Sequence, residues 1–303
     1  MNYEWHRHDA ADDRDAAGSY LRCICVIPSF MGIMLGMVLL LPVAAAENPR
    51  LVLQGNTLPV GAARVDITPN TPVRMYGYGS RKTESEGVAL KLYARAVVFG
   101  GDDGDGPAVL VVVENGALLP SLVADVFQRL QDLFDVKPER FVLCHTHNHS
   151  GPDVKGLAAL KGEEKERIQG YCRMLKQRLV RVVQEALAAR RPCRLGWAEG
   201  KAGFAANRRV LEDGKWTGFG AVLDAAADHR LPILCAVDVD GDPVAIVVNY
   251  ACHCTTLRPD FKKIHGDWAG CAQQFIEAAY PDVVALTCIG CGADADPYPH
   301  GTK

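Results

Sequence analysis

The chain reads as an α/β fold, with two mixed β-sheets packed together and flanked by outer helices. Three observations predict it. Runs such as residues 108–113 (AVLVVV) are apolar on every position, as strands covered on both faces are. Two longer stretches, 119–134 and 163–190, place apolar residues three and four apart, the period of a helix with one face on a core. Strand, helix and strand follow in order from 108 to 144, the succession of a right-handed crossover unit.

The elements follow from local chemistry. Residues 60–69 (VGAARVDITP) predict a strand stopped by Pro69, and Pro72 keeps the next turn extended. Residues 74–80 (RMYGYGS) are too rich in glycine for a helix and read as a loop able to approach a site closely. Residues 90–99 and 108–113 are two strands joined by the tight connection 100–107 (GGDDGDGP), an antiparallel pair. Its aspartates lack the terminal glutamate of a calcium loop, so a solvated hairpin is expected. The helix 119–134 delivers the chain to a strand at 140–144. The second helix carries Ile168, Cys172, Leu175, Leu179, Val183 and Leu187 on one side and ends before Pro192. A strand is expected at 194–199. Residues 201–209 and 212–218 read as a polar, glycine-containing excursion. Residues 233–240 and 243–249 form a second hairpin around Gly241 and Asp242. Asp267 caps a helix over 268–279, and a last strand at 283–288 runs into the glycine-rich turn 290–297.

Length and composition bound the rest. The 303 residues bury one large core, and 49% hydrophobic with 23% charged residues is ordinary for a globular protein. A formal charge of −3 offers no attraction for nucleic acid. Residues 23–46 are almost wholly apolar, follow Arg22 and end in three alanines. They are expected to be a secretory signal cleaved after Ala46, or a retained single-span anchor. Residues 1–22 are then its n-region or a mis-assigned start, 47–59 a polar linker, and 60–303 the catalytic domain. Nine cysteines lie beyond the signal, an odd number that cannot all pair. Most, Cys144 and Cys288 among them, sit in apolar strands as small hydrophobes. Cys288 and Cys291 form the one Cys-x-x-Cys, with no second pair to complete a zinc site.

The chemistry concentrates at two strand ends. Residues 141–152 (FVLCHTHNHSGP) end a buried strand in His145, His147 and His149. A continuing strand would point all three the same way, but Asn148, Ser150 and Gly151 predict a bend that converges two of them. Residues 247–257 (VVNYACHCTTL) place His253 at the end of a second apolar run, where it meets a metal or a hydrogen-bond partner such as Thr255 or Thr256. His265 precedes Asp267 and is a candidate general base or supporting residue. Asp294 and Asp296 are the nearest acids in sequence to complete such a site. Arg64, Arg208 and Arg209 are either anion-binding groups or surface cations. Zinc suits imidazole and carboxylate donors with a position left for water.

An ordered set of motifs carries a resemblance. Residues 61–69 (GAARVDITP), 77–79 (GYG), 85–88 (SEGV), 92–96 (LYARA), 147–152 (HNHSGP), 249–253 (NYACH), 255–257 (TTL), 266–270 (GDWAG) and 290–294 (GCGAD) span most of the chain. Together they resemble the N-terminal catalytic domain of the neutral/alkaline non-lysosomal ceramidase family, particularly its bacterial members. The resemblance implies two mixed sheets with helices outside, and zinc-dependent cleavage of the ceramide amide. It makes His147 the first zinc histidine and His253 the second, with His149 beside the metal as a proton-handling residue. His145 falls where the family has a small residue and is accessory. Two departures matter. Residues 292–297 (GADADP) lack the family's serine, and the family's distal glutamate and tyrosine ligands lie beyond the sequence in hand. The domain is therefore expected to be incomplete at its C-terminus, with Asp294 or another acid recruited instead.

These readings converge on a zinc hydrolase of lipid-like or envelope-derived N-acyl amides, placed outside the cytoplasm with peripheral membrane contact. The alternatives are a metal-dependent esterase for a polar substrate, and a non-catalytic remnant or binding domain without the full ligand set.

Overall fold

The structure is a computed structural model that describes residues 52–53 and 55–299. The expected signal or anchor at 23–46 lies outside the described residues. Among those described, no helix is long and apolar enough to cross a membrane.

The expected elements form, with shifted boundaries. In chain order they are β1 (Val52–Leu53), β2 (Leu58–Asp66), β3 (Tyr93–Phe99), β4 (Ala108–Val113), α1 (Pro120–Phe134) and β5 (Phe141–His145). Then come α2 (Gly162–Ala188), β6 (Arg191–Lys201), β7 (Ala205–Glu212), β8 (Lys215–Val222), β9 (Arg230–Asp238), β10 (Pro243–Tyr250), α3 (Asp267–Ala279), β11 (Val284–Ile289) and β12 (Ala295–Pro297). Both β1 and the start of β2 fall in the stretch read as linker. The polar excursion is instead the β7–β8 hairpin, turned through Asp213 and Gly214 at positive φ. Its alternating polar side chains are those of strands with one face in solvent, which composition alone does not separate from a loop.

The large sheet runs β11-β10-β9-β6-β2-β3-β4-β5, with β1 beside β6, and a three-stranded antiparallel sheet runs β12-β7-β8. β3 and β4 pair antiparallel as expected, and β4–α1–β5 is a parallel crossover. β10 and β11 form a second parallel pair. The first half of the large sheet is covered twice. Val65, Ala94, Ala96, Val109, Val111 and Val113 face the helices, meeting Ile168, Leu175 and Leu179 of α2. Val60, Val97 and Val112 face the opposite way onto Ala236, Ala245 and Leu286. The sheet thus curls until β10 and β11 lie against β2 to β5, making two layers from one ladder. Each fully buried Val or Leu in these layers contributes about 1.5–3 kcal/mol, which fixes the curl.

Close contact between layers also constrains glycine. At Gly61 a Cβ would stand 2.1 Å from the Ala186 carbonyl oxygen, so α2 crosses β2 only where a side chain is missing. The stripe that α2 buries is Ile168, Tyr171, Leu175, Leu179, Val182, Val183 and Ala186, with Cys172 and Leu187 at its half-buried margin. Helix α3 is tied to the sheet by a buried ion network. Arg95 of β3 pairs with Glu114 and with Glu277 of α3, and Gln273 donates to Glu114 at 3.1 Å. Breaking such a pair strands a buried charge, so the network fixes how α3 seats on the sheet.

Candidate metal centre

The curl brings the C-terminal ends of β5, β10 and β11 together, where His147, His149 and His253 meet. One ring nitrogen from each lies within 4.8 Å of the others. Ring centroids are 4.9 Å apart for His147 and His253, 5.2 Å for His147 and His149, and 6.0 Å for His149 and His253. The bend expected after β5 occurs at His147 itself, whose φ is 54°. A non-glycine residue held in the left-handed region carries strain and marks a backbone shaped for its side chain. The buried Asn148 stabilises the turn by accepting the Ser150 N–H at 3.2 Å.

Each of the two expected metal histidines is oriented through Nδ1. His147 Nδ1 lies 2.8 Å from the Gly116 carbonyl, in the loop after β4. His253 Nδ1 lies 2.7 Å from the Gly292 carbonyl, in the loop after β11. A carbonyl can only accept, so both rings carry the proton on Nδ1 and turn an unprotonated Nε2 toward the cluster. This is how metal-binding imidazoles are held. The partner of His253 is thus neither Thr255 nor Thr256. Its backbone is pinned as well, with its N–H on Ala295 O at 2.9 Å and its carbonyl accepting Trp268 Nε1–H at 2.8 Å.

His149 differs. Both of its ring nitrogens are buried and have no hydrogen-bond partner in the protein. Buried polar atoms without partners are rare, and here they fit a ligand the protein itself does not supply. Burial, reinforced by His147, His253, Arg208 and Arg81, pushes its pKa down to about 3. Burial likewise lowers His147 and His253, so the cluster is neutral at neutral pH, the state a metal requires. His145 stands beside the cluster, its ring 5.7 Å from His147 and its buried Nδ1 without a partner.

The loop after β2 wraps His149. Tyr76 and Tyr78 flank its ring edge-on at 5.6 and 4.9 Å, and Tyr78 Oη donates to Leu257 O at 2.8 Å. Gly77, at φ +98°, passes so close that a Cβ would lie 2.2 Å from His149 Cγ. Arg81 was not singled out by its sequence context, yet it is 7% exposed and bonded to main-chain carbonyls from three segments. It donates to His149 O at 2.7 Å, Phe261 O at 2.9 Å, and Tyr76 O and Pro259 O at 3.4 Å. The dense glycine and aromatic spacing of 74–80 marked a loop near a site; that the adjoining Arg81 fastens backbone had no sequence signal.

The remaining candidates sit around this cluster. Arg208 donates to Ala293 O at 3.0 Å and to Asp296 Oδ1 at 3.2 Å, and Asp296 also accepts Thr255 Oγ1–H at 3.0 Å. Asp294 lies in the preceding turn, half-buried, and its carbonyl accepts Arg208 N–H at 2.7 Å. His265 accepts the Asp267 N–H on Nδ1 at 2.9 Å and packs edge-on against Phe261. Neither Asp294 nor His265 belongs to the converging group of three. Asp267 heads α3 and accepts the N–H groups of Thr256, Leu257 and Trp268, bracing the loop that carries His253. Arg64 pairs with Glu277, away from the histidines.

A family model described as "Neutral/alkaline non-lysosomal ceramidase, N-terminal" matches residues 58–287. Neutral ceramidase A of Dictyostelium discoideum is 26% identical over 245 residues, 76% of this chain and 33% of that protein. Neutral ceramidase of Mycobacterium tuberculosis is 33% identical over 100 residues, 31% of this chain and 16% of that protein. The crystal structure of neutral ceramidase from Pseudomonas aeruginosa superposes with a TM-score of 0.67 at 21% identity, covering 82% of this chain and 41% of that one. That likeness shows the shared fold. The chain spans about a third or less of the length of the curated relatives it matches.

Proposed function

The chain belongs to the neutral/alkaline non-lysosomal ceramidase family, and from that premise we propose that it is a zinc-dependent hydrolase. The bond cleaved is the amide of a lipid-like or envelope-derived N-acyl substrate, in an extracytoplasmic compartment. One observation carries the reading: His147 and His253 arrive from distant strands with Nδ1 committed to carbonyls and Nε2 free, beside a His149 with no partner of its own.

A zinc ion held by those imidazoles would supply a Lewis acid and an acidified water for attack on an amide carbonyl. The protein's own groups supply the rest. His147 and His253 present Nε2, and their carbonyl partners prevent either ring from flipping. His149, neutral because burial disfavours its cation and with both ring nitrogens unpartnered, is suited to serve as a third ligand. Arg208, fixed by Asp296, places a cation close enough to depress all three imidazoles, where it would stabilise a developing oxyanion or product carboxylate. Asp294 is the proposed acid of the turn whose main-chain carbonyl accepts the Arg208 N–H, and His265 acts through Asp267 on the loop of His253.

The test is zinc content and product release. Wild-type protein should carry one zinc and release fatty acid from an N-acyl lipid faster than from the matching ester. His147→Ala and His253→Ala should each lose both metal and turnover while retaining the wild-type far-ultraviolet circular dichroism. Full zinc in either folded variant refutes the ligand assignment.

A further inference from the structure

We propose that Cys144 and Cys288 are a redox-sensitive pair that closes into a disulfide joining the two edge strands of the large sheet. β5 and β11 stand at opposite ends of the strand order, yet the curl lays them against one another. Cys144 points into the core between the two layers beside Leu110 and Val112, and Cys288 enters the same core from β11. There both side chains pack against the same apolar cluster, where β5 and β11 touch. Sequence placed each in its own apolar strand, 144 positions apart from neither of which the other is visible; only the curl makes them neighbours. Facing residues of two packed layers are the pair that an inter-sheet disulfide joins in immunoglobulin domains.

The chemistry balances with an external disulfide such as glutathione disulfide as oxidant. One cysteine thiolate attacks it and releases a glutathione thiol. The second cysteine then displaces the remaining glutathione, so two protein thiols become one S–S bond while one external S–S bond becomes two thiols. Both thiols are half-buried, so reaction waits on local opening of the edge strands. The product would tie the strand entering His147 to the strand leading to the Gly292 carbonyl that orients His253. Oxidation thereby locks the two halves of the histidine cluster together. The inference rests on the strand contact and holds whether or not the proposed reaction does.

Full-length chain incubated with glutathione disulfide, then unfolded, alkylated and digested, should yield a peptide linked through Cys144 and Cys288 and lose two alkylatable thiols. Thermal unfolding of the oxidised protein should rise by several degrees over the reduced form, and Cys144→Ser should abolish both effects. A Cys288–Cys291 linkage, or Cys144 and Cys288 both alkylated after oxidation, overturns the proposal. Because the mapping is made on the wild-type chain, it decides the question even if the serine variant fails to fold.

Discussion

Replacing Gly77 by alanine tests how closely the loop after β2 governs the histidine cluster. At φ +98° an L-residue is strained by about 1–3 kcal/mol. The new methyl would also lie 2.2 Å from His149 Cγ, 2.3 Å from Nδ1 and 2.8 Å from Cβ, well inside contact distance. The ring has nowhere to swing. Tyr76 and Tyr78 flank it, and the His149 N–H is held by Cys254 O at 3.2 Å. Forced overpacking of this kind adds about 1–3 kcal/mol, for a total of about 2–6 kcal/mol, or roughly 5–20 °C in Tm. Gly79→Ala is the control, two residues along with nothing within 4 Å of its Cβ, and should stay within about 0.5 kcal/mol. Thermal unfolding and zinc titration against a competing chelator would be measured on both variants. Gly77→Ala should lose stability and bind zinc more weakly, and Gly79→Ala should do neither. If the two variants behave alike, His149 is not held by Gly77 and the description of this loop is wrong.

Two further outcomes follow from the same site. In metal-free protein, the folded pKa of His149 is about 3 against 6.5 unfolded, so the unfolded chain binds the proton first as pH falls. Stability should therefore drop from pH 6.5 downward, by up to about 1.4 kcal/mol per pH unit for this group, and denaturant titrations should show a shallower slope in His149→Gln. Arg81→Met keeps the aliphatic stem but leaves the carbonyls of His149 and Phe261 without their cationic donor, at about 2–4 kcal/mol. Calorimetry should show that loss together with weaker zinc binding, whereas Arg81→Lys should recover part of both.

The secondary structure was legible because each strand and helix announces itself through short-range periodicity and through breakers such as Pro69 and Gly241. The β7–β8 hairpin was the largest of the misses, which also include β1, the start of β2 and β12, since a strand pair with one face in solvent has little apolar signal. His147 and His253 were legible too, as imidazoles placed where buried strands stop, and the ordered motifs gave them a family context. The roles of Arg81, Gly116 and Gly292 were not, because carbonyl acceptors and their donors leave no pattern in side-chain order.

By itself, then, the sequence determined which imidazoles stand where buried strands end, since hydrophobic period and residue type are local properties. Tertiary structure decided that two strand ends about a hundred residues apart occupy one place. It did so because a sheet with both faces apolar buries them best by curling back on itself, and that long-range packing fixes the tautomers of His147 and His253 and brings Cys144 and Cys288 into one core cluster.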